Sequence, residues 1–159
     1  MHVDSTRFGA IEVRDDAVIE FPDGLIGLPG KRYALIAQSA DSPFYWLHAV
    51  DEPAIAVPVT NPWLFFPDYE VKISDDDTRR LELSGPQGVE IFCVVRACSE
   101  LADFTVNLAS PVVVHAEQLV GRQVINEVGG YAVRQPLFSE VELDDVRPTS
   151  LGVQVAATA

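Results

Sequence analysis

Histidine, cysteine and clustered acids are the side chains that most often carry chemistry, and this chain holds few of them in a usable spacing. His48 lies in the run Phe44-Tyr45-Trp46-Leu47-His48-Ala49-Val50, where it could act as a base or a ligand. No second histidine or acid stands at a metal spacing beside it, so a surface or hydrogen-bonded histidine is expected. Cys93 and Cys98 fall within or beside one apolar segment, and their odd separation puts them on opposite faces of a continuing strand. That argues against a disulfide or a shared metal site, and for a reducing, cytoplasmic setting. Asp75-Asp76-Asp77 lacks the alternating acids, glycine and terminal glutamate of a calcium loop. A helix start accounts for it instead: Ser74 caps, the acids face the positive end of the macrodipole, and Arg79-Arg80 follow. Gly24, Gly27 and Gly30 match neither phosphate-loop signature. No nucleophile elbow, H-E-x-x-H or C-x-x-C appears in the chain. No enzyme, cofactor or metal is therefore expected. The alternative is a small β-barrel enzyme or small-ligand carrier, which requires a deep pocket with converging titratable groups.

A stretch of another kind, residues 54–70, organises the chain. A β-branched run over 55–59 meets Asn61-Pro62, a good N-cap followed by a good first helical residue. Trp63, Leu64, Phe65 and Phe66 come next, and Pro67 stops the helix after about one turn. Asp68-Tyr69-Glu70 then sets carboxylates on either side of an aromatic ring. The stretch reads either as a buried plug with a surface return, or as a rigid aromatic and acidic platform for another protein. Phe65 and Phe66 cannot both face outward easily, whereas Asp68, Tyr69 and Glu70 are polar and past the plug.

Charge narrows the partners. The chain carries 11 Lys and Arg against 24 Asp and Glu, a net charge of −13. Residues 139–159 hold Glu140, Glu142, Asp144 and Asp145 against Arg147, a net −3, which leaves −10 on the body. Phosphate backbones and anionic membranes are repelled by such a field, so neither direct nucleic-acid binding nor a membrane is expected. A basic protein is attracted by it. The N-terminus has neither a basic region nor an apolar run, so no signal peptide is expected.

The elements that must position these residues are short and β-prone. Runs at 7–13 and 17–21 read as a hairpin, with Gly9 at a bulge or close approach. The Gly/Pro-rich loop over 21–33 brings Leu25, Ile26 and Leu28 to the core. Strands follow at 33–37, 44–50 and 55–59, and at 71–73 before the helix at 74–81. The strongest strand covers 89–97, nearly continuous in apolar residues, as in a central, covered position. Further strands follow at 104–108, 112–115, 121–125 and 131–133. About ten short strands with frequent turns and one short helix predict an all-β, antiparallel barrel-like single domain over 1–138. The acidic tail, 139–159, loses periodicity and is expected to be disordered.

Several of these pieces, in this order, resemble the flagellar assembly factor FliW family. They are FPDGLIGLPGKRYALI, DSPFYWLHAV, VTNPWLFFPDYEVKI, VNLASPVVV, GRQVI and YAVRQPL. The match runs from the first strand to Leu137, and Trp63 stands where the family usually has phenylalanine. The resemblance implies a non-enzymatic β-barrel protein of the bacterial cytoplasm with two partners. One is flagellin; the other is CsrA, a basic RNA-binding dimer that represses flagellin mRNA. Binding to CsrA away from its main RNA face would antagonise it and couple flagellin synthesis to secretion. The contacts expected are Asn61, Phe65, Phe66, Asp68, Tyr69 and Glu70, with Asn107, Leu108 and Pro111 as a second group. The protein alone is expected to be monomeric.

Overall fold

In the structure, a computed structural model describing residues 1–37 and 39–138, the apolar alternation becomes eleven short strands and one helix. Strands β1 (His2–Ser5) and β2 (Gly9–Glu12) form a separate two-stranded hairpin. Next come β3 (Val18–Glu20), β4 (Arg32–Ala37), β5 (Phe44–Ala49) and β6 (Ala56–Thr60). After helix α1 (Asp75–Arg80) follow β7 (Val89–Arg96), β8 (Thr105–Val106), β9 (Val112–His115), β10 (Val120–Gln123) and β11 (Gln135–Pro136).

Strands β3 to β7 pair in sequence, β7 pairs with β9, and β9 with β10. β10 then meets β3, with Val120 opposite Glu20, and closes a seven-stranded barrel. That seam is parallel, the one departure among these pairs from the antiparallel arrangement expected. β8 and β11 add a small annex on the second half of β7. The two strands expected on either side of Ala109-Ser110-Pro111 do not pair; β8 and β9 each add to a different part of β7.

The interior follows from the period of two. Tyr33, Leu47, Ala49, Val59, Phe92, Val112 and Val114 fill the barrel together with Phe21 and Leu25 from the glycine loop. Leu28 packs beside them, but Ile26 is exposed, against the expectation that all three turn inward. The opposite face of β4 and β5, with Ala34, Ile36 and Trp46, is covered by Val3, Ile11 and Val13. His48 on that face is buried and hydrogen-bonded. It donates from Nδ1 to the Ala49 carbonyl (2.8 Å), and its Nε2 accepts from the Ser5 hydroxyl (2.7 Å). This contact pins the β1–β2 hairpin to the barrel.

The first hairpin is thus His2–Ser5 with Gly9–Glu12 rather than 7–13 with 17–21. Gly9 follows its turn at φ +76°, and a Cβ there would meet nothing within 4 Å, so backbone conformation rather than close approach calls for glycine. Residues 71–73 and 131–133 are not strands. Lys72 instead accepts from the Glu127 amide (3.0 Å) and donates to the Asn126 side chain (3.0 Å).

Helix α1 is capped as expected: Ser74 Oγ accepts from the Asp77 amide at 3.0 Å. Its C-terminus is tied by the Leu83 amide donating to the Thr78 carbonyl (3.0 Å), with Glu82 held at φ +54°. A left-handed residue in this motif is usually glycine, because a Cβ is strained there. Glu82→Gly is expected to raise stability by about 0.5–1 kcal/mol, read as a higher urea midpoint. A lower midpoint would show that the Glu82 side chain contributes more than its backbone costs.

Candidate functional site

The platform begins as a single 3₁₀ turn, Pro62–Leu64, with Asn61 Oδ1 accepting from the Trp63 amide at 3.0 Å. In a 3₁₀ turn the side chains at i and i+3 eclipse. Pro62 is buried, so Phe65 follows it to the inner side, and Trp63 and Leu64 are left facing out. Phe65 stacks on Phe44 at 5.9 Å and meets Phe138 edge-on at 5.7 Å. Both Phe65 and Phe66 are half-buried. Trp63 is 37% exposed and Leu64 61%.

Tyr69 turns back under the platform. Only 4% exposed, it donates its hydroxyl proton to the Leu108 carbonyl at 2.6 Å and lies 4.8 Å, edge-on, from Tyr131. Its own carbonyl accepts from the Trp63 indole N–H at 2.8 Å, which fixes the orientation of that ring. The structure therefore corrects the exposed placement expected of Tyr69. Asp68 and Glu70 on either side of it are exposed.

The second expected group plays a similar part. Leu108 and Pro111 are buried. Asn107 Oδ1 accepts from the amides of Ala109 (3.1 Å) and Ser110 (3.0 Å) and so holds a turn. Leu108 and Pro111 support the platform from behind, and Asn107 beside them is half-buried.

Two residues that sequence reasoning did not single out clamp the segment. Asn126, buried, donates from Nδ2 to the Glu70 carbonyl (2.9 Å) and the Tyr69 hydroxyl oxygen (3.3 Å). Its Oδ1 accepts from the amides of Lys72 and Val128, both at 3.0 Å. Tyr131 accepts from the Glu70 amide at 2.9 Å. Asn126 opens a run ending in Gly129-Gly130 and reads as a turn residue. Its partners Tyr69, Glu70 and Lys72 lie more than fifty positions earlier, beyond the reach of any spacing rule.

Around the platform the acids divide. Asp76 is paired with Arg80 at 2.8 Å, and that hydrogen bond holds its carboxyl below the usual carboxylate range. Asp77 is paired with Arg122 at 2.8 Å. Asp68, Glu70, Glu82 and Glu90 are exposed and have no ion-pair partner among the described residues. Beside Trp63 lies an apolar groove of about 420 Å³ whose lining includes Val71, Ile73, Leu83, Pro86, Val89 and Ile91. Among the described residues, no titratable side chain lines it.

Cys93 is buried beneath Tyr69, with its Sγ 3.9 Å from the Tyr69 hydroxyl, and burial pushes its thiol up to about 12. Burial raises the Tyr69 hydroxyl as well. Both groups are neutral when protonated and hold their protons more tightly folded than unfolded. Their contribution to stability is therefore complete below the ordinary thiol value near 9 and is lost as pH climbs towards 12. Unfolding followed by urea is expected to show stability falling steadily above about pH 9. In the native state one thiol, the exposed Cys98, is expected to react with a thiol reagent at pH 8, and both to react in denaturant. Rapid modification of both thiols in the native state would contradict the placement of Cys93.

Comparison with known proteins gives this arrangement its family. A model of the FliW protein family matches residues 2–137. The flagellar assembly factor FliW of Ruminiclostridium cellulolyticum is 33% identical over 148 residues, covering 92% of this chain and all of that protein. That of Magnetococcus marinus is 37% identical over 142 residues, covering 88% of this chain and 86% of the relative. A crystal structure of the flagellar assembly factor FliW superposes with a TM-score of 0.79 at 28% identity, covering 88% of this chain and 99% of that one. The same seven-stranded barrel, with its platform and annex, thus belongs to a member of the FliW family of flagellar assembly factors.

Proposed function

We propose that this chain binds flagellin and the translational repressor CsrA in the bacterial cytoplasm, and that by holding CsrA it releases flagellin mRNA from repression. Flagellin that accumulates occupies the chain and repression returns; flagellin that is secreted frees it. The observation that carries this reading is the family match across residues 2–137, nearly the whole described fold. The chain acts as a binding protein and not as an enzyme. The names of the relatives, which are assembly factors, support this reading. Contact falls on the outward parts of the platform, Asn61, Asp68 and Glu70 with the half-buried edges of Phe65 and Phe66.

Antagonism follows from charge. RNA binding by a basic protein depends on its positive potential and on counterion release. Docking a body of net charge −10 beside that surface lowers its potential and repels RNA without covering the site. In an assay of RNA release from purified CsrA, antagonism is expected to weaken at high salt more than complex formation does. Antagonism unchanged in strong salt, with CsrA still bound, would rule out the electrostatic part.

A further inference from the structure

The Trp63 ring borders two grooves. One is the apolar groove beside Val71, Leu83 and Ile91; the other, also about 420 Å³, is lined by residues including Leu35, Tyr45, Asn61, Phe92 and Glu90. The indole N–H is already satisfied by the Tyr69 carbonyl, so the ring offers a partner its faces and edge and no donor. It is also fixed in orientation, so little side-chain entropy is lost when it is covered. Exposed acids with no ion-pair partner among the described residues accompany the lining. Glu90 lines the second groove, and Glu70 and Glu82 precede the lining residues Val71 and Leu83 in the chain.

We infer that Trp63 and its two grooves form the docking site for a partner segment that combines apolar side chains with lysine or arginine. This rests on the binding function proposed above and assigns the surface to the basic partner. Charge complementarity selects the occupant. A second copy of this chain would bring another acidic body against the first, and nucleic acid or an anionic membrane would be repelled. A cationic side chain over the Trp63 face adds a cation–π contact. The molecule already contains one such pair, with the Arg7 guanidinium 4.6 Å from the centre of the Trp46 ring.

The two tryptophans make the test direct, because Trp46 is buried and Trp63 is not. The full chain labelled with 5-fluorotryptophan gives two ¹⁹F resonances, assigned with Trp63→Phe. On addition of purified CsrA, the Trp63 resonance is expected to shift and that of Trp46 to stay. Glu70→Lys, Glu82→Lys and Glu90→Lys combined are expected to weaken CsrA binding by about tenfold or more. A control triple with the same change of net charge, Asp41→Lys, Glu52→Lys and Glu117→Lys, is expected to weaken it by less than about threefold. Equal losses in the two triples, or CsrA binding with an unmoved Trp63 resonance, would overturn this docking site while leaving the binding function intact. A Trp63 shift on concentrating the chain alone would make the occupant a second copy and overturn the assignment. Wild-type chain that binds no CsrA at all would instead remove the function on which the inference rests.

Discussion

Gly121→Ala is expected to destabilise the barrel by about 3 kcal/mol, and Gly121→Val to prevent stable folding. Gly121 follows Val120, whose register opposite Glu20 makes the parallel seam. A Cβ added there would lie 2.5 Å from Phe21 Cε1 and 3.1 Å from two further ring carbons. Phe21 cannot give way. It is fully buried, meets Tyr33 edge-on at 5.8 Å, and is anchored by its amide donating to the Lys31 carbonyl at 2.6 Å. Space, not backbone conformation, therefore requires glycine, since no positive φ is needed at this position. The remedy follows from the same geometry: Phe21→Leu trims the ring, so Gly121→Ala should cost less in that background than in the wild type. Urea unfolding of the four proteins reads the coupling directly. Strict additivity would show that the ring and the glycine do not meet.

Asn126→Ala is expected to cost about 3 kcal/mol, roughly a 6–12 °C fall in melting temperature for a domain of this size. The substitution strands the Glu70 carbonyl and the Lys72 and Val128 amides, which lose partners at 2.9–3.0 Å. It also releases the segment that carries Asp68 and Glu70, so affinity for a partner should fall with stability. Leu64→Ala gives the contrast. With its side chain 61% exposed, it should change stability by no more than about 0.5 kcal/mol. Parallel thermal melts and binding titrations separate the two effects. An Asn126→Ala protein that melts with the wild type would remove the clamp from the account.

Local patterns made much of this molecule legible. The alternation over 32–60 yields β4, β5 and β6, and the helix signals at Ser74 and Asp75–Arg80 are met atom by atom. The Asn61-Pro62 cap also forms as its residue types dictate. Pairing was harder to read. The β1–β2 hairpin was displaced because its turn lies at Thr6-Arg7-Phe8, whereas the more polar Arg14-Asp15-Asp16 forms a 3₁₀ turn leading into β3. The parallel seam joins strands about a hundred residues apart, which no local signal encodes.

The platform was legible as a segment but not in its facing. Tyr69, flanked by two acids and bearing a hydroxyl, has the composition of a surface residue. It is buried because the Leu108 carbonyl and Asn126, both distant in sequence, supply partners for that hydroxyl. Trp63 and Leu64 are the reverse case, large apolar residues turned outward by the eclipsing of Pro62 and Phe65. The expected acidic tail, 139–159, lies outside the described residues.

We propose that this acidic barrel works by gripping other polypeptides. Isothermal titration of the purified full chain against purified CsrA, and separately against flagellin, at physiological salt tests it most directly. A saturable complex with each partner is predicted, together with no uptake of RNA by the chain alone. A correctly folded chain that binds neither protein, or that takes up RNA unaided, would contradict it.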